Sequence, residues 1–470
     1  MPSTSRPLVS VCIPTRNRAA MLCDALASVL AEPLDDLEIV VVDDASDDDT
    51  RAVVLDFGDG RIGYRRHPQR VGIARNRNAC LEAARGRYLA WLDDDDAYLP
   101  GGLARQVAVL EREPDVVLAH GAFEVVDGDG RPQPPWERPF DEDTVEPGAR
   151  AFRELLLSNY IGAPTVVVRA AAQRSAGPYV EELGDRGEDW DAWLRIALRG
   201  DLAYSATPVA TYRCHREGAS HGRAGSLAWL RSEARVASRA LDAGGFAPAE
   251  RRTLARRARA ALGIKAVTAA TDALARGRAR VAARVVRWAG RAFPPSRGQL
   301  LGAAGAAVDR DEHAFHIETG RALRAMARSI PDSRFGRAVL ARLAATEAWA
   351  AERSGVARRI RRVVPPEARV LAVDKWDPSL LREAGRRGGH FPDLALHPPG
   401  YPADDVEAIR HLADLRARGA EYLVFPSAGF WWLDHYDGFA RHLSARHERV
   451  WADDVCVIYR LAAPAREVPA

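Results

Sequence analysis

Residues 8–44 read "LVSVCIP", "RAAMLCDALASVLAE" and "LEIVVVDD" in succession, and that order restricts the fold more than any other feature of the chain. The outer segments are short, β-branched and apolar without alternation, as strands buried on both faces are, and the middle segment has apolar residues at helical spacing. Together they predict a β-α-β unit with parallel strands. A looser copy follows. "RIGYRRH" reads as a strand, "GIARNRNACLEAARG" as a helix closed by Gly86, and "RYLAWLDDDD" as a strand. A helix near 101–112, strands at "DVVLAHGAFEVVD" and "APTVVVRA", and a Pro-rich loop at 131–148 complete an open, largely parallel α/β sheet.

Composition enters where the pattern changes. The 470 residues exceed one domain, and the division expected is 1–225 for the sheet, 226–362 for an Arg/Ala-rich helical region, and 363–470 for a small α/β domain. Residues 226–362 carry 28 Lys plus Arg against 11 Asp plus Glu, although the whole chain is only +3. Lys occurs only at 265 and 375, so the Arg excess reads as genomic base composition and no nucleic-acid partner is expected. In the last region "RVLAVD", "EYLVFPS" and "VCVIYRL" read as strands and 378–388, 403–418 and 434–446 as helices, a small Rossmann-like module without a Gly-rich phosphate loop. Five scattered cysteines without CxxC spacing argue against a disulfide framework or structural zinc. The N-terminus lacks a signal-peptide pattern and no run is long enough to span a membrane, so a cytoplasmic location is expected.

Acidic residues mark the strand ends: Asp43 and Asp44 after one, Asp93 to Asp96 after another. Ligands of open α/β sheets bind where loops leave those ends. A lone acidic pair is explained by a cap or a solvated turn, but four carboxylates in a row call for compensation, and Mg²⁺ or Mn²⁺ with a diphosphate supplies it.

Four segments, "VSVCIPTRNRAAMLCDALASVL…LEIVVVDDASDDDT", "VGIARNRNACLEAARGRYLAWLDDDDAYLP", "GEDWDAWLRIALRG" and "ATYRCH", together resemble the family 2 glycosyltransferases over about residues 7–222. The resemblance implies a GT-A fold, a nucleotide-diphosphate-sugar donor, a divalent metal (Mg²⁺ or Mn²⁺), and transfer with inversion to a glycan or lipid-linked acceptor. It assigns Pro14, Thr15 and Arg16 to the loop against the nucleotide base, Asp44 to the base itself and Arg75 to the diphosphate. Asp93 falls to the first acid of the motif, Asp94 to a ribose or metal contact, and Asp95 to the metal. His215 lies where the family places a basic or imidazole group near the diphosphate, and is taken with Asp95 as a metal residue. Asp189 matches the general base, with Glu188 beside it to set its charge or hold the acceptor. Asp191, Trp190, Trp193 and Arg195 read as capping and packing of that helix.

Two departures qualify the resemblance. The processive signature QxxRW is missing, since "RVVRW" at 284–288 lacks the Gln, and this favours addition of a single sugar. Arg16 stands where an aromatic residue is common, which leaves the nucleotide open. Two other functions compete: a sugar-phosphate nucleotidyltransferase, which would need a Gly-rich loop near "IPTRNRA", and a non-catalytic nucleotide-sugar-binding scaffold, which would not need both Asp95 and Asp189. The basic helices of 226–362 either face solvent or make a peripheral contact with an anionic inner membrane surface.

Overall fold

The computed structural model describes residues 6–184, 187–215, 226–309, 312–373, 379–392 and 401–461. The chain divides into two units, Met1–Leu340 and Ala341–Ala470. The tail of the matched region after His215, Lys375 and the start of the helix expected from 378 lie outside the described residues.

The first unit opens with β1 (Val9–Thr15), α1 (Ala19–Leu30), β2 (Leu37–Asp43), α2 (Thr50–Asp56), β3 (Ile62–Arg66), α3 (Ile73–Ala83) and β4 (Tyr88–Trp91). β1 pairs in parallel with β2 and β4, and β2 with β3. Val9, Val11 and Ile13 of β1 pack with Leu22, Leu26 and Val29 of α1 on one face. Cys12, with Val40 and Val42 of β2, joins Ala74 and Cys80 of α3 on the other. Burial on both faces is why these strands show no alternation.

β5 (Ala97–Tyr98), α4 (Gly102–Arg112), β6 (Val116–Asp127), β7 (Thr144–Glu146), α5 (Gly148–Leu155), β8 (Val167–Arg169), α6 (Ala170–Ala176), α7 (Glu188–Ala197) and β9 (Asp201–Cys214) complete the sheet. Its order is β3-β2-β1-β4-β8-β6-β9-β5, with β7 on β9. β6 and β9 run parallel, but β8 is antiparallel to β4 and β6, and β5 and β7 are antiparallel to β9. The largely parallel sheet expected is therefore a mixed one. In "APTVVVRA" residues Ala163–Thr165 coil into a 3₁₀ turn, which leaves a strand of three residues that runs against its neighbours. Gly86 needs correction as well. The helix before it ends at Ala83, and Gly86 is instead a point of close backbone approach, where a Cβ would lie 2.4 Å from the Ser10 amide nitrogen.

α8 (Leu227–Ala243), α9 (Pro248–Ala275), α10 (Ala279–Ala292), α11 (Arg297–Asp309), α12 (Glu312–Ala327) and α13 (Arg334–Val363) follow, and no strand interrupts them among the described residues. Ile264 and Val267 of α9 pack against Val285 and Val286 of α10 and Met326 of α12. α13 runs through the division between the two units.

The second unit contains β10 (Arg369–Ala372), α14 (Ser379–Ala384), β11 (Arg387–His390), α15 (Asp405–Ala417), β12 (Tyr422–Pro426), α16 (Trp431–His435), α17 (Asp437–Arg446), β13 (Glu448–Ala452) and β14 (Cys456–Arg460). They build a five-stranded sheet of order β11-β10-β12-β14-β13. The three expected strands are β10, β12 and β14; β11 and β13 are additional. The helix expected over 378–388 stops at Ala384 because Gly385 adopts φ +65°, a left-handed helix end. The chain returns at once as β11, where a Cβ on Gly388 would meet the Val370 carbonyl oxygen at 1.7 Å.

Candidate active site

Parallel register brings the carboxyl ends of β1, β2 and β4 to one edge: Thr15 lies opposite Asp43, and Cys12 opposite Trp91. Asp44 follows β2. Its carboxylate accepts the backbone N–H groups of Val71 (2.5 Å) and Gly72 (3.0 Å), which fixes the loop that opens α3. Arg16 follows β1 and donates its backbone N–H to Asp94 (3.1 Å).

Four adjacent aspartates follow β4, and each has its own partner. Arg77 Nη2 donates to Asp93 (2.7 Å). Arg18 Nη1 donates to Asp94 (2.7 Å) and pairs with Asp95 at 2.9 Å. His215 Nε2 lies 2.8 Å from Asp95 Oδ2, and the Arg213 backbone N–H donates to Asp96 (2.8 Å). Protein side chains thus offset much of the repulsion that the sequence alone left to a cation and diphosphate. Burial, reinforced by the Asp95 charge, pushes the Asp94 carboxyl up to about 6 and Asp96 well up. Burial also raises Asp93, against the pull of Arg77. Asp95 behaves in the opposite sense: burial would raise it, but the His215 hydrogen bond and Arg18 together hold it below the usual carboxylate range. It is the member of the run that stays ionised most readily.

α7 supplies carboxylates from a second direction. Gly187, at φ +84°, turns the chain into the helix. Glu188 is 5% exposed, and burial followed by the Asp189 charge pushes its carboxyl up to about 8, against the Arg77 guanidinium at 3.5 Å. Asp189 is half-buried, and its Oδ1 accepts the Trp190 backbone N–H (2.6 Å). Asp191 accepts from Arg195 (2.8 Å), and Trp190 Nε1 donates to the Leu155 carbonyl (2.8 Å), so both hold the helix in place.

These groups share a cavity of about 840 Å³. Pro14, Thr15, Arg16, Asp44, Asp93, Asp94, Asp95, Glu188, Asp189 and His215 all line it. Arg75 does not. Its side chain is 57% exposed and pairs with Glu181 at 3.0 Å. Arg77, two residues on, is the guanidinium of α3 that reaches the acidic run. The signal was in the helix phase, since Ala74, Arg77 and Cys80 share the buried face of α3 and Arg75 does not. Arg18, Trp136, Tyr212, Glu233 and Lys265 also line the cavity and were missed. Glu233 accepts from Lys265 Nζ (3.1 Å) and Trp229 Nε1 (3.2 Å), and Lys265 sits 4.9 Å from the Trp190 ring centre. Helices α8 and α9 therefore form one wall of the cavity.

As a metal site the cavity offers a small donor set. Among the described residues no group of three or more His, Cys, Asp or Glu is arranged to hold an ion. Asp95 with His215 is a carboxylate–imidazole pair, which suits a Mg²⁺ or Mn²⁺ ion that takes its other ligands from phosphate oxygens and water.

Residues 10–170 match the model of Glycosyl transferase family 2. An uncharacterized protein of Mycobacterium tuberculosis is 33% identical over 218 residues, 43% of this chain and 65% of that protein, so the chain spans less than two thirds of that relative. UDP-Glc:alpha-D-GlcNAc-diphosphoundecaprenol beta-1,3-glucosyltransferase WfgD of Escherichia coli is 30% identical over 197 residues, 42% of this chain and 72% of that enzyme. Among solved structures, S. aureus TarS 1-349 in complex with UDP-GlcNAc superposes with a TM-score of 0.45 at 17% identity, covering 66% of this chain and 90% of that one.

Proposed function

The chain belongs to glycosyl transferase family 2, and from that premise we propose that it moves one sugar from a nucleotide-diphosphate-sugar to a hydroxyl of a glycan or lipid-linked acceptor, with inversion, in the synthesis of a cell-envelope polysaccharide or related glycoconjugate. One observation carries the reading: a single cavity is lined both by Asp189 on α7 and by the Asp95–His215 pair at the sheet edge. A base and an anion-stabilising centre on two elements are what displacement at an anomeric carbon needs.

In this account Pro14, Thr15, Arg16 and Asp44 receive the nucleoside. Asp44 acts there through the backbone it holds, because its oxygens are engaged by Val71 and Gly72. Asp95 and His215 would hold Mg²⁺ or Mn²⁺; such an ion, when bound, neutralises the diphosphate and favours its departure. Asp189 takes the proton of the acceptor hydroxyl as that oxygen bonds to the anomeric carbon and the sugar–phosphate bond breaks. Glu188 is kept protonated near neutral pH by burial and by the Asp189 charge. Arg77 fixes Asp93 and Glu188 in place.

Among the described residues no helix is long and apolar enough to cross a membrane. We assign the reaction to the cytoplasmic side, with the basic helical region as the part suited to an anionic membrane surface. The test is a screen of nucleotide-sugars for release of nucleoside diphosphate with Mg²⁺ or Mn²⁺, run beside titration of the free nucleoside diphosphates. Metal-dependent binding together with release from at least one donor supports transfer. Binding without release from any donor, with acceptor glycans present, would return the chain to the scaffold reading.

A further inference from the structure

Trp136 is 50% exposed and lines the cavity, an unusual degree of exposure for an indole. It is nevertheless well placed. Its ring centre lies 4.9 Å from that of Tyr212 on β9 and 5.6 Å, edge to face, from Phe123 on β6. Tyr212 and Phe123 are themselves 5.5 Å apart, so the three rings form one cluster. Gly162 lies against it, where a Cβ would come within 2.8 Å of the Phe123 ring.

The segment that presents Trp136 is stiff and tied at both ends. Pro134, Pro135 and Pro139 restrict its backbone. Gln133 donates its backbone N–H to Val125 (2.8 Å), and the Ala206 backbone N–H donates to Asp143 (2.8 Å). The indole is held in place before anything binds, which lowers the ordering cost of a ligand that uses it.

Its position points to the ligand. Pro14 and Asp44 lie at the ends of β1 and β2, whereas Phe123 and Tyr212 belong to β6 and β9. In the order β2-β1-β4-β8-β6-β9 those pairs lie at opposite ends of the cavity edge, with the acidic run after β4 between them. A donor whose nucleoside lies at β1 and β2 therefore leaves the β6–β9 end to the second substrate. A pyranose ring has an apolar face of C–H bonds and a rim of hydroxyls. An exposed indole offers the matching flat apolar surface, and Asn159 and Asp189, in the same cavity, are polar groups suited to the hydroxyls.

We infer that Trp136, backed by Tyr212 and Phe123, is the stacking platform for a pyranose of the acceptor, so that the acceptor's reacting end is a saccharide. This rests on the sugar-transfer reading above and gives it an acceptor class.

The experiment is saturation-transfer difference NMR on the full chain with UDP and Mn²⁺, using the methyl β-glycosides of glucose, galactose and N-acetylglucosamine and, separately, geranyl phosphate. The expected result is saturation of pyranose C–H protons by the wild-type chain, a roughly tenfold weaker effect in Trp136→Ala and partial recovery in Trp136→Phe. The melting temperatures of both variants report that they are folded. Trp431→Ala, which removes the 40% exposed indole of the second unit, should leave the signal unchanged. Glycoside saturation that survives Trp136→Ala, or disappears in Trp431→Ala, overturns the inference. So does saturation of geranyl phosphate with none of any glycoside. The nucleotide-sugar screen on the same samples separates the two claims: glycoside contact at Trp136 without turnover of any donor refutes sugar transfer and leaves the platform standing, while turnover without glycoside contact does the reverse.

Discussion

Replacing Glu188 by Gln should stabilise the protein, and by an amount that grows with pH. The carboxyl is 5% exposed, and burial, then the Asp189 charge, raise it from 4.5 to about 8. The sign follows from proton uptake. Between these two values the folded state holds a proton that the unfolded chain has released, so stability is greatest below about 4.5 and is lost as pH rises towards 8. The limiting slope for one group is about 1.4 kcal/mol per pH unit, and the whole interval is worth at most roughly 4 to 5 kcal/mol. Gln has the same shape and no titration. Urea melts of both proteins at pH 5, 6, 7 and 8 should show a stability gap in favour of Glu188→Gln that widens by about 1 kcal/mol per unit between pH 5 and 7. Arg77 supplies the opposing argument, since its guanidinium is only 3.5 Å from Glu188. A gap that stays flat with pH, or favours the wild type throughout, would mean that this ion pair outweighs burial and that Glu188 is ionised.

Three further outcomes follow from the same geometry. Asp95→Asn should abolish the Mn²⁺-dependent part of nucleoside-diphosphate binding in calorimetric titration, because a neutral amide gives up the charge shared with His215; undiminished binding moves the ion to another carboxylate. Asp44→Ala strips two backbone N–H groups of their acceptor, so melts should report a loss of about 1–3 kcal/mol together with weaker nucleoside affinity. Were affinity and stability both to stay at wild-type values, Asp44 would have no role in the loop. Gly86→Ala forces a Cβ to within 2.4 Å of the Ser10 nitrogen and should cost at least about 2 kcal/mol, read as a fall in melting temperature of several degrees; an unchanged melting temperature would contradict the close approach.

What could be read from the chain was what physics writes locally. The unalternating apolar runs of β1 and β2 declare burial on both faces, and an acidic residue straight after such a run declares a strand end at the binding edge. β11 escaped because "RGGH" pairs through its backbone and has little side-chain signature, and its Gly388 is required by contact with Val370 rather than by any local pattern. β8 escaped as an antiparallel strand because a strand of only three residues, Val167–Arg169, carries no direction. Motif position singled out Arg75 and passed over Arg77, although the spacing of Ala74 and Cys80 already put Arg77 on the inner face of α3. Trp136, Glu233 and Lys265 reach the cavity only through tertiary packing: the Pro-rich loop folds back over β9, and α8 and α9 come from beyond the sheet. The Asp95–His215 pair, 120 residues apart, was legible only through the family pattern.

The central claim is that Asp189 does chemistry, and Asp189→Asn tests it most directly. The amide oxygen can still accept the Trp190 N–H now held at 2.6 Å, so the start of α7 keeps its bond and the melting temperature should hold. The amide cannot take a proton from an acceptor hydroxyl. With a donor and acceptor identified by the screen, sugar transfer should fall by roughly 10² to 10⁴ while donor affinity and melting temperature stay at wild-type values. Near-normal transfer by Asp189→Asn would contradict the account and leave this carboxylate as a helix-start residue alone.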